Sequence, residues 1–288
     1  MRIATAAVIA SIAASTGAGA APSAAPYYAD PAWSPNGRQI AFVDREPQGR
    51  LYVANANGTR VRMLDVSKSA AYPTWSPSGR KNAFRYGNGI GVISATGAGL
   101  RDLSDDDGCC PDWSPGGRKL AYSVGTDSGS GPIKVMNPDG TRQQVVARTQ
   151  NGQLSLVTPG WSPDGQQLAF CLCAGPDSAN PETSLGIISS YGGRIRRLLA
   201  PLTPIEPDWS PEGARIVFSE GYDEIMVVNF RTNRIHDLHS GQHPRWSPNG
   251  RRIVYADLGR ICVMNANGRR AHILVGAPAT RLSRPCVR

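Results

Sequence analysis

The sequence has no long apolar run and few aromatic residues. No stretch of its 288 residues reaches the roughly 18 consecutive apolar residues that a membrane-spanning helix requires. An integral membrane segment is therefore not expected in the mature chain. Aromatic residues make up 7% and hydrophobic residues 40% of the chain, which is ordinary for a globular protein.

Motifs of the common enzyme classes are also missing. The chain contains no G-x-S-x-G, no H-E-x-x-H, no P-loop and no dinucleotide-binding fingerprint. These absences favour a protein that is not an enzyme and that needs neither a metal nor another cofactor.

The N-terminus is typical of a secretory signal peptide. Arg2 is followed by a mostly apolar run from Ile3 and then by the small-residue site Ala18-Gly19-Ala20. We predict a signal peptide at residues 1–20, an Ala/Pro linker at residues 21–29 and a protein that is secreted or periplasmic.

One phrase, P-x-W-S-P-x-G, is repeated along the chain and contains every tryptophan. The six residues are Trp33, Trp75, Trp113, Trp161, Trp209 and Trp246. Their spacings are 42, 38, 48, 48 and 37 residues, close to the roughly 40–45 residues of a four-stranded propeller blade. We assign each Trp ring a structural role, packing between neighbouring blades.

Each repeat contains signals for four strands. A β-rich run such as Gln39–Val43 follows the first turn, and a third strand ends in Asn-Gly or a similar turn. Blade 2 departs from the pattern because Asn82 replaces an aliphatic residue. The predicted fold class is all-β, a six-bladed β-propeller of four-stranded antiparallel blades over residues 30–276.

The repeats resemble the TolB-type six-bladed β-propeller family with WD40-like repeats, in which blades read approximately P-x-W-S-P-D-G-x-x-I-A-F and then V-M-N-A-D-G. The resemblance covers Pro31 to about Val275. It implies a propeller that acts in the cell envelope and binds a protein or peptide.

Propeller topology sorts the loops into two ends. The turns after W-S-P and after the third strand share one end and are short, whereas the loops at the opposite end vary in length. We predict that a partner binds at this long-loop end, near the channel mouth. The candidate binding residues are Asp105, Asp106, Asp107, Asp112, Glu206, Asp208, His243 and Arg245.

The net charge of +9 does not by itself indicate nucleic-acid binding. Many arginines fall in the predicted fourth strands, where a charged edge prevents strand addition between molecules. The sequence also lacks a series of aromatic residues for base stacking. Nucleic acid is therefore not expected as a partner, and the protein is expected to be a monomer.

Six cysteines in an exported chain indicate disulfides, with fifteen possible pairings. Cys109 and Cys110 are predicted at the same end of adjacent blades as Cys171 and Cys173, so one or two bridges between the blades are expected. The remaining candidates pair as Cys262–Cys286. The tail, residues 277–288, either pairs as an extra strand that latches the ring or lies along blade 6.

Two alternatives to a binding scaffold stay open. A metal-assisted enzyme of the lactonase or lyase type would use channel carboxylates and His243, and a cluster of His236, His239 and His243 would be a second possible metal set. Glycan recognition would need exposed aromatic residues at the long-loop end, for which Tyr222 and Tyr72 qualify.

Overall fold

The computed structural model describes residues 26–45, 49–104, 106–125, 131–148, 154–174, 183–198, 202–221 and 223–276. The predicted signal peptide, the linker up to residue 25 and the tail lie outside these residues and stay predictions. The described residues form strands and turns, with no helix long and apolar enough to cross a membrane.

The strands fall into six blades. Blade 1 contains β1 (Tyr28–Trp33), β2 (Gln39–Asp44), β3 (Arg50–Asn55) and β4 (Arg62–Leu64). Blade 2 contains β5 (Ala70–Trp75), β6 (Lys81–Tyr86), β7 (Gly89–Ser94) and β8 (Arg101–Asp102). Blade 3 contains β9 (Gly108–Trp113), β10 (Leu120–Val124), β11 (Ile133–Met136) and β12 (Gln144–Ala147).

The second half of the chain repeats this order. Blade 4 contains β13 (Leu154–Trp161), β14 (Gln167–Ala174), β15 (Ser184–Ser189) and β16 (Arg196–Leu198). Blade 5 contains β17 (Pro204–Trp209), β18 (Arg215–Glu220), β19 (Glu224–Asn229) and β20 (Ile235–Ser240). Blade 6 contains β21 (Gln242–Trp246), β22 (Arg252–Asp257), β23 (Arg260–Asn265) and β24 (His272–Val275).

Each blade is an antiparallel sheet of four strands that are consecutive in the chain. The first strand of every blade contacts the first strands of both neighbouring blades, so six strands surround a central channel. The predicted fold class is confirmed. The first strand starts at Tyr28, inside the stretch predicted as linker.

The blades are held together by six hydrophobic clusters, one at each boundary, and each cluster contains one tryptophan. Trp75 of blade 2 packs beside Val43 and Leu51 of blade 1. Its indole Nε1 also donates a hydrogen bond to the carbonyl oxygen of Ala32, at 3.2 Å. The repeated tryptophan is therefore part of the contact between blades.

The ring closes where blade 6 meets blade 1. Trp33 packs with Val254 and Val263 in the cluster at this boundary. The turn before β4 also approaches blade 6, since a Cβ at Gly58 would lie 2.0 Å from the carbonyl oxygen of Leu274. With a φ of 79°, Gly58 meets both a conformational and a steric requirement for glycine.

Blade 2 forms despite its unusual residue. Asn82 is fully buried in β6, where it lies opposite Trp75 and Ile93 in the strand register. Both amide atoms of its side chain lack a hydrogen-bond partner in the described part of the chain. A buried, unbonded amide costs free energy, so Asn82 is a local weak point in an otherwise regular blade.

The cysteines pair within blades, which corrects the predicted bridges between blades 3 and 4. Cys109 is bonded to Cys110 and Cys171 to Cys173, with Cα–Cα distances of 3.8 and 5.5 Å. Cys171 and Cys173 are two apart in β14 and so face the same side of the sheet. Cys262 is also disulfide-bonded, but Cys286 lies outside the described residues, so that pairing stays a prediction.

Candidate functional site at the channel

The first strand of every blade carries a bulge three residues before its tryptophan. The strand register shifts at this point in all six blades. A proline follows the bulged residue in each case, and proline cannot donate to the strand ladder. The bulge therefore belongs to the blade architecture.

The bulged residues share a left-handed backbone that is uncommon for side chains other than glycine. Their φ angles lie between 51° and 57°. They are Asp30, Tyr72, Cys110, Thr158, Glu206 and His243. The surrounding Pro and Trp are constant between blades whereas this position differs in every blade, so it is where this channel acquires its own chemistry.

Hydrogen bonds and ion pairs link five of these residues from blade to blade around the channel. The amide of Tyr72 donates to Asp30 Oδ2 at 3.1 Å, and the amide of Glu206 donates to Thr158 Oγ1 at 3.1 Å. His243 Nδ1 lies 3.0 Å from Asp30 Oδ1 and 2.5 Å from Glu206 Oε2. Residues of blades 4, 5, 6, 1 and 2 therefore form an unbroken series of contacts along the channel wall.

Arg45 completes this arrangement, which we call the channel network: Asp30, Arg45, Tyr72, Glu206 and His243. Arg45 follows β2, at the long-loop end. Its Nη2 donates to Asp30 Oδ1 at 2.8 Å and lies 3.3 Å from His243 Nε2 and 3.5 Å from the Tyr72 hydroxyl. The Arg45 side chain is 40% exposed whereas that of Asp30 is 2% exposed, so Arg45 connects the buried carboxylates to solvent.

The network is electrostatically coupled. Burial alone would raise the pKa of Asp30, but the positive charges of His243 and Arg45 outweigh it and the pKa is lowered. Burial alone would lower the pKa of His243, but Glu206 and Asp30 outweigh it and the pKa is raised. Two carboxylates therefore balance an imidazolium and a guanidinium at the channel mouth.

Burial and neighbouring charge also act on the tyrosine of the network. Burial, followed by Asp30 and Glu206, raises the pKa of Tyr72, so its hydroxyl stays protonated. Tyr72 thus offers a neutral donor beside Arg45.

Of the seven predicted binding residues that the structure describes, only Glu206 and His243 belong to this network. Asp112 and Asp208 instead connect blades, since each carboxylate accepts a hydrogen bond from the backbone amide of the next blade's tryptophan, at 2.8 and 2.7 Å. Burial raises the pKa of Asp208 to about 6, despite Arg245 nearby.

The other predicted acidic residues lie elsewhere at the long-loop end. Asp106 pairs with Lys134 at 2.5 Å, and Asp107 is exposed in the connection before β9. Asp105 and Tyr222 lie outside the described residues. The predicted acidic residues that the structure describes therefore have separate surroundings and do not form one patch.

The three neighbouring histidines separate in the same way. His236 is exposed on β20, and His239 is buried beside Tyr255, with ring centroids 5.4 Å apart. Only His243 reaches the channel. Their closeness in the sequence does not bring them together because they occupy an edge strand and an innermost strand.

Asp30 and Arg45 were missed by sequence reasoning, and Tyr72 was considered only as an exposed aromatic. A signal existed for Asp30 and Tyr72: both stand at the variable position before the repeated Pro. No comparable signal exists for Arg45, because it follows a second strand outside the repeated phrase and reaches the network only in three dimensions.

The network could also supply ligands to a metal ion. Asp30, Glu206 and His243 are buried and offer one ligand atom each, all within 4.8 Å of one another. Among the described residues, His243 Nδ1 forms no hydrogen bond of normal geometry, although both carboxylates lie beside it. Carboxylate and imidazole ligands suit divalent ions such as Mn²⁺ and Zn²⁺.

Six four-stranded blades around a channel define a β-propeller. The residue that differs from blade to blade lies at the channel, so the channel mouth is the surface that distinguishes this propeller. The chain belongs to the TolB beta propeller domain family (PD40), whose sequence profile matches residues 101–280. A search of curated proteins returns no match.

Solved structures of similar fold include two TolB proteins and an oligogalacturonate lyase. The putative TolB from Agrobacterium tumefaciens is 20% identical, with a TM-score of 0.65, over 78% of this chain and 87% of that one. TolB from Acinetobacter baumannii is 18% identical, with a TM-score of 0.66, over 82% of this chain and 63% of that one.

An oligogalacturonate lyase from Vibrio parahaemolyticus is 14% identical, with a TM-score of 0.58, over 89% of this chain and 80% of that one. These identities establish a shared fold and leave the function to be argued from the site.

Proposed function

We propose that the protein is an extracytoplasmic binding propeller that holds a protein or peptide partner at the channel mouth, on the long-loop end, without catalysing a reaction. The signal-peptide pattern at residues 1–20 supports export. The observation that carries the proposal is the channel network, because the propeller fold requires the bulge but not five interacting polar side chains.

Arg45 is the group best placed to meet the partner. All of its hydrogen bonds to described residues use Nη2, so Nε and Nη1 have no partner in the described part of the chain. A guanidinium fork pairs well with a carboxylate. We therefore propose that the partner presents an acidic group to Arg45.

Replacing Arg45 should weaken partner binding specifically. A photo-crosslinking residue at Asn88, exposed in the turn between β6 and β7, should capture the partner from extracytoplasmic extract, and mass spectrometry should identify the adduct. Arg45→Ala should reduce the affinity of the purified partner about 10-fold or more, since a charged hydrogen bond contributes about 1.5–3 kcal/mol.

The matched control is Arg148→Ala, which removes an exposed arginine after β12 at the same end. Its affinity should stay within about threefold of the parent protein, because such surface changes are usually small. Equal losses in the two variants would contradict a specific role for Arg45. Crosslinks at Tyr191 of the opposite end, in place of Asn88, would contradict the proposed surface.

A second candidate is a metal-assisted enzyme of the lyase or lactonase type, with Asp30, Glu206 and His243 as ligands. The observation that favours it is the buried grouping of the three ligand atoms. A metal would supply Lewis-acid chemistry at the channel mouth. Binding it would require Arg45 to withdraw and His243 to lose its proton.

Titration calorimetry with Mn²⁺ and Zn²⁺ separates the two candidates. The binding-protein proposal predicts no stoichiometric site at micromolar affinity. An enzyme would bind one ion per chain, and His243→Ala would abolish that binding whereas His236→Ala, an exposed control, would keep it. One bound ion per chain that is lost in His243→Ala and kept in His236→Ala would overturn the binding-protein proposal in favour of the enzyme.

A further inference from the structure

The end of the propeller opposite the channel network forms a continuous rim. It consists of the turns between first and second strands and between third and fourth strands, which we call the short-turn face. Each first-turn glycine lies against the turn proline of the preceding blade: Gly79 against Pro35, Gly117 against Pro77, Gly165 against Pro115, Gly213 against Pro163, Gly250 against Pro211 and Gly37 against Pro248.

Hydrogen bonds within the turns keep this rim rigid. In the first turn, Ser34 Oγ donates to Asn36 Oδ1 at 2.8 Å and accepts from the amide of Gln39 at 2.9 Å. The same serine-to-amide bond recurs in other blades, as from Lys119 to Ser114 at 2.9 Å. Charged side chains at these turns are therefore held on a fixed support.

Positive charge is concentrated on the short-turn face. Eleven exposed arginines lie in its twelve turns: Arg38, Arg60, Arg80, Arg118, Arg142, Arg194, Arg231, Arg234, Arg251, Arg269 and Arg270. Only three acidic residues share these turns, namely Asp139, Asp164 and Glu212. Of the chain's 22 acidic residues, the other 19 lie elsewhere. None of the eleven arginines forms an ion pair with a described residue.

Protection of sheet edges does not explain these arginines. Edge protection requires charge on fourth strands, and within the described residues those strands contain Arg62, Arg101, Arg196 and Arg197. The eleven arginines lie in turns instead, and four of them, Arg38, Arg80, Arg118 and Arg251, lie one or two residues before second strands, which are interior strands of their blades. The interpretation from sequence, which explained the many arginines by protection of fourth-strand edges, is therefore incomplete.

The chemistry of the face matches phosphate. Every exposed cation within the turns is an arginine, whose planar fork binds phosphate oxygens in pairs. Tyr191, in the turn before β16, is 86% exposed, and Val61 is 43% exposed beside Arg60. An exposed tyrosine among arginines suits the headgroup layer of a bilayer, where an amphipathic ring has both water and apolar surface.

We propose that the short-turn face binds the surface of an anionic phospholipid bilayer, with its arginines on headgroup phosphates and Tyr191 in the headgroup layer. Attachment is peripheral and salt-dependent because charge dominates it. This orientation leaves the channel network facing away from the bilayer and open to a partner. The inference uses different residues from the proposed function and does not depend on it.

Vesicle sedimentation with the full chain tests this proposal. We expect binding to vesicles of phosphatidylglycerol and phosphatidylcholine, none to phosphatidylcholine alone, and release at high salt. The double variant Arg80→Glu/Arg118→Glu should weaken vesicle binding at least about 10-fold, because each Arg near an anionic membrane surface adds its own favourable free energy of binding.

The control is Lys68→Glu/Arg148→Glu, which changes the net charge equally with exposed residues of the long-loop end. The affinity of this control variant for the vesicles should stay within about threefold of that of the parent protein. Circular dichroism melting verifies that both variants fold. Equal losses in both variants would overturn the proposal by showing a net-charge effect, and so would binding of soluble polyphosphate without binding of vesicles.

Discussion

We expect Trp75→Ala to destabilise the propeller by about 3–5 kcal/mol, the usual range for removing a large buried aromatic side chain. Trp75 is 6% exposed and fills the boundary between blades 1 and 2. Its removal leaves a cavity and deprives the Ala32 carbonyl oxygen of the indole donor. Urea unfolding followed by circular dichroism measures the change as a lower transition midpoint.

Two variants make this result specific. Trp75→Phe keeps much of the apolar volume and should cost about 1–2 kcal/mol, part of it the lost hydrogen bond. Tyr191→Ala removes an aromatic side chain that is 86% exposed and should change stability by about 0.5 kcal/mol or less. A loss for Trp75→Ala no larger than for Tyr191→Ala would show that the boundary does not depend on this ring.

We also expect Asp30→Ala to destabilise the protein, by about 3–5 kcal/mol, because removing one member of a buried ionic network leaves the others without their counter-charge. Asp30 accepts hydrogen bonds from Arg45 and from the amide of Tyr72, and lies 3.0 Å from His243 Nδ1. Denaturant unfolding at about pH 6 is the measurement. Asp223→Ala, an exposed aspartate between β18 and β19, is the matched control and should be nearly neutral.

The loss for Asp30→Ala should depend on pH in a defined direction. The folded-state pKa of Asp30 is lowered by His243 and Arg45 against the effect of burial. The contribution of Asp30 to the free energy of unfolding is therefore fully present above the unfolded-state pKa of about 3.9. It is lost as the pH falls through the lower pKa of the folded state. The difference between parent and Asp30→Ala should shrink at about pH 3, and an unchanged difference there would contradict the ionic origin.

The two ends of the propeller have different chemistry on one scaffold. At the long-loop end, a balanced set of charges is buried around His243, and Arg45 is its exposed member. At the short-turn face, exposed arginines form no ion pair with any residue that the structure describes. Binding at one end does not obstruct the other. We therefore expect Arg45→Ala to affect partner affinity alone, and Arg80→Glu/Arg118→Glu to affect vesicle binding alone.

Several features followed from local sequence alone. The Trp repeat, its period and the turn after each W-S-P predict six blades, because each blade is built from consecutive residues and every blade makes the same contacts with its neighbours. The β-rich runs after the turns, such as Gln39–Val43, appear as second strands. Two of the three buried ionic residues of the network, Glu206 and His243, were also among the predicted residues.

The tertiary structure decided which residues far apart in the sequence meet, and which cysteines pair. Asp30 and His243 are 213 positions apart and meet only because the ring closes between blades 1 and 6. The cysteine pairing depended on the bulge at Cys110 and on the shared face of Cys171 and Cys173. Repetition determines the scaffold, because its contacts recur in every blade, whereas the site depends on which single side chain each blade turns into the channel.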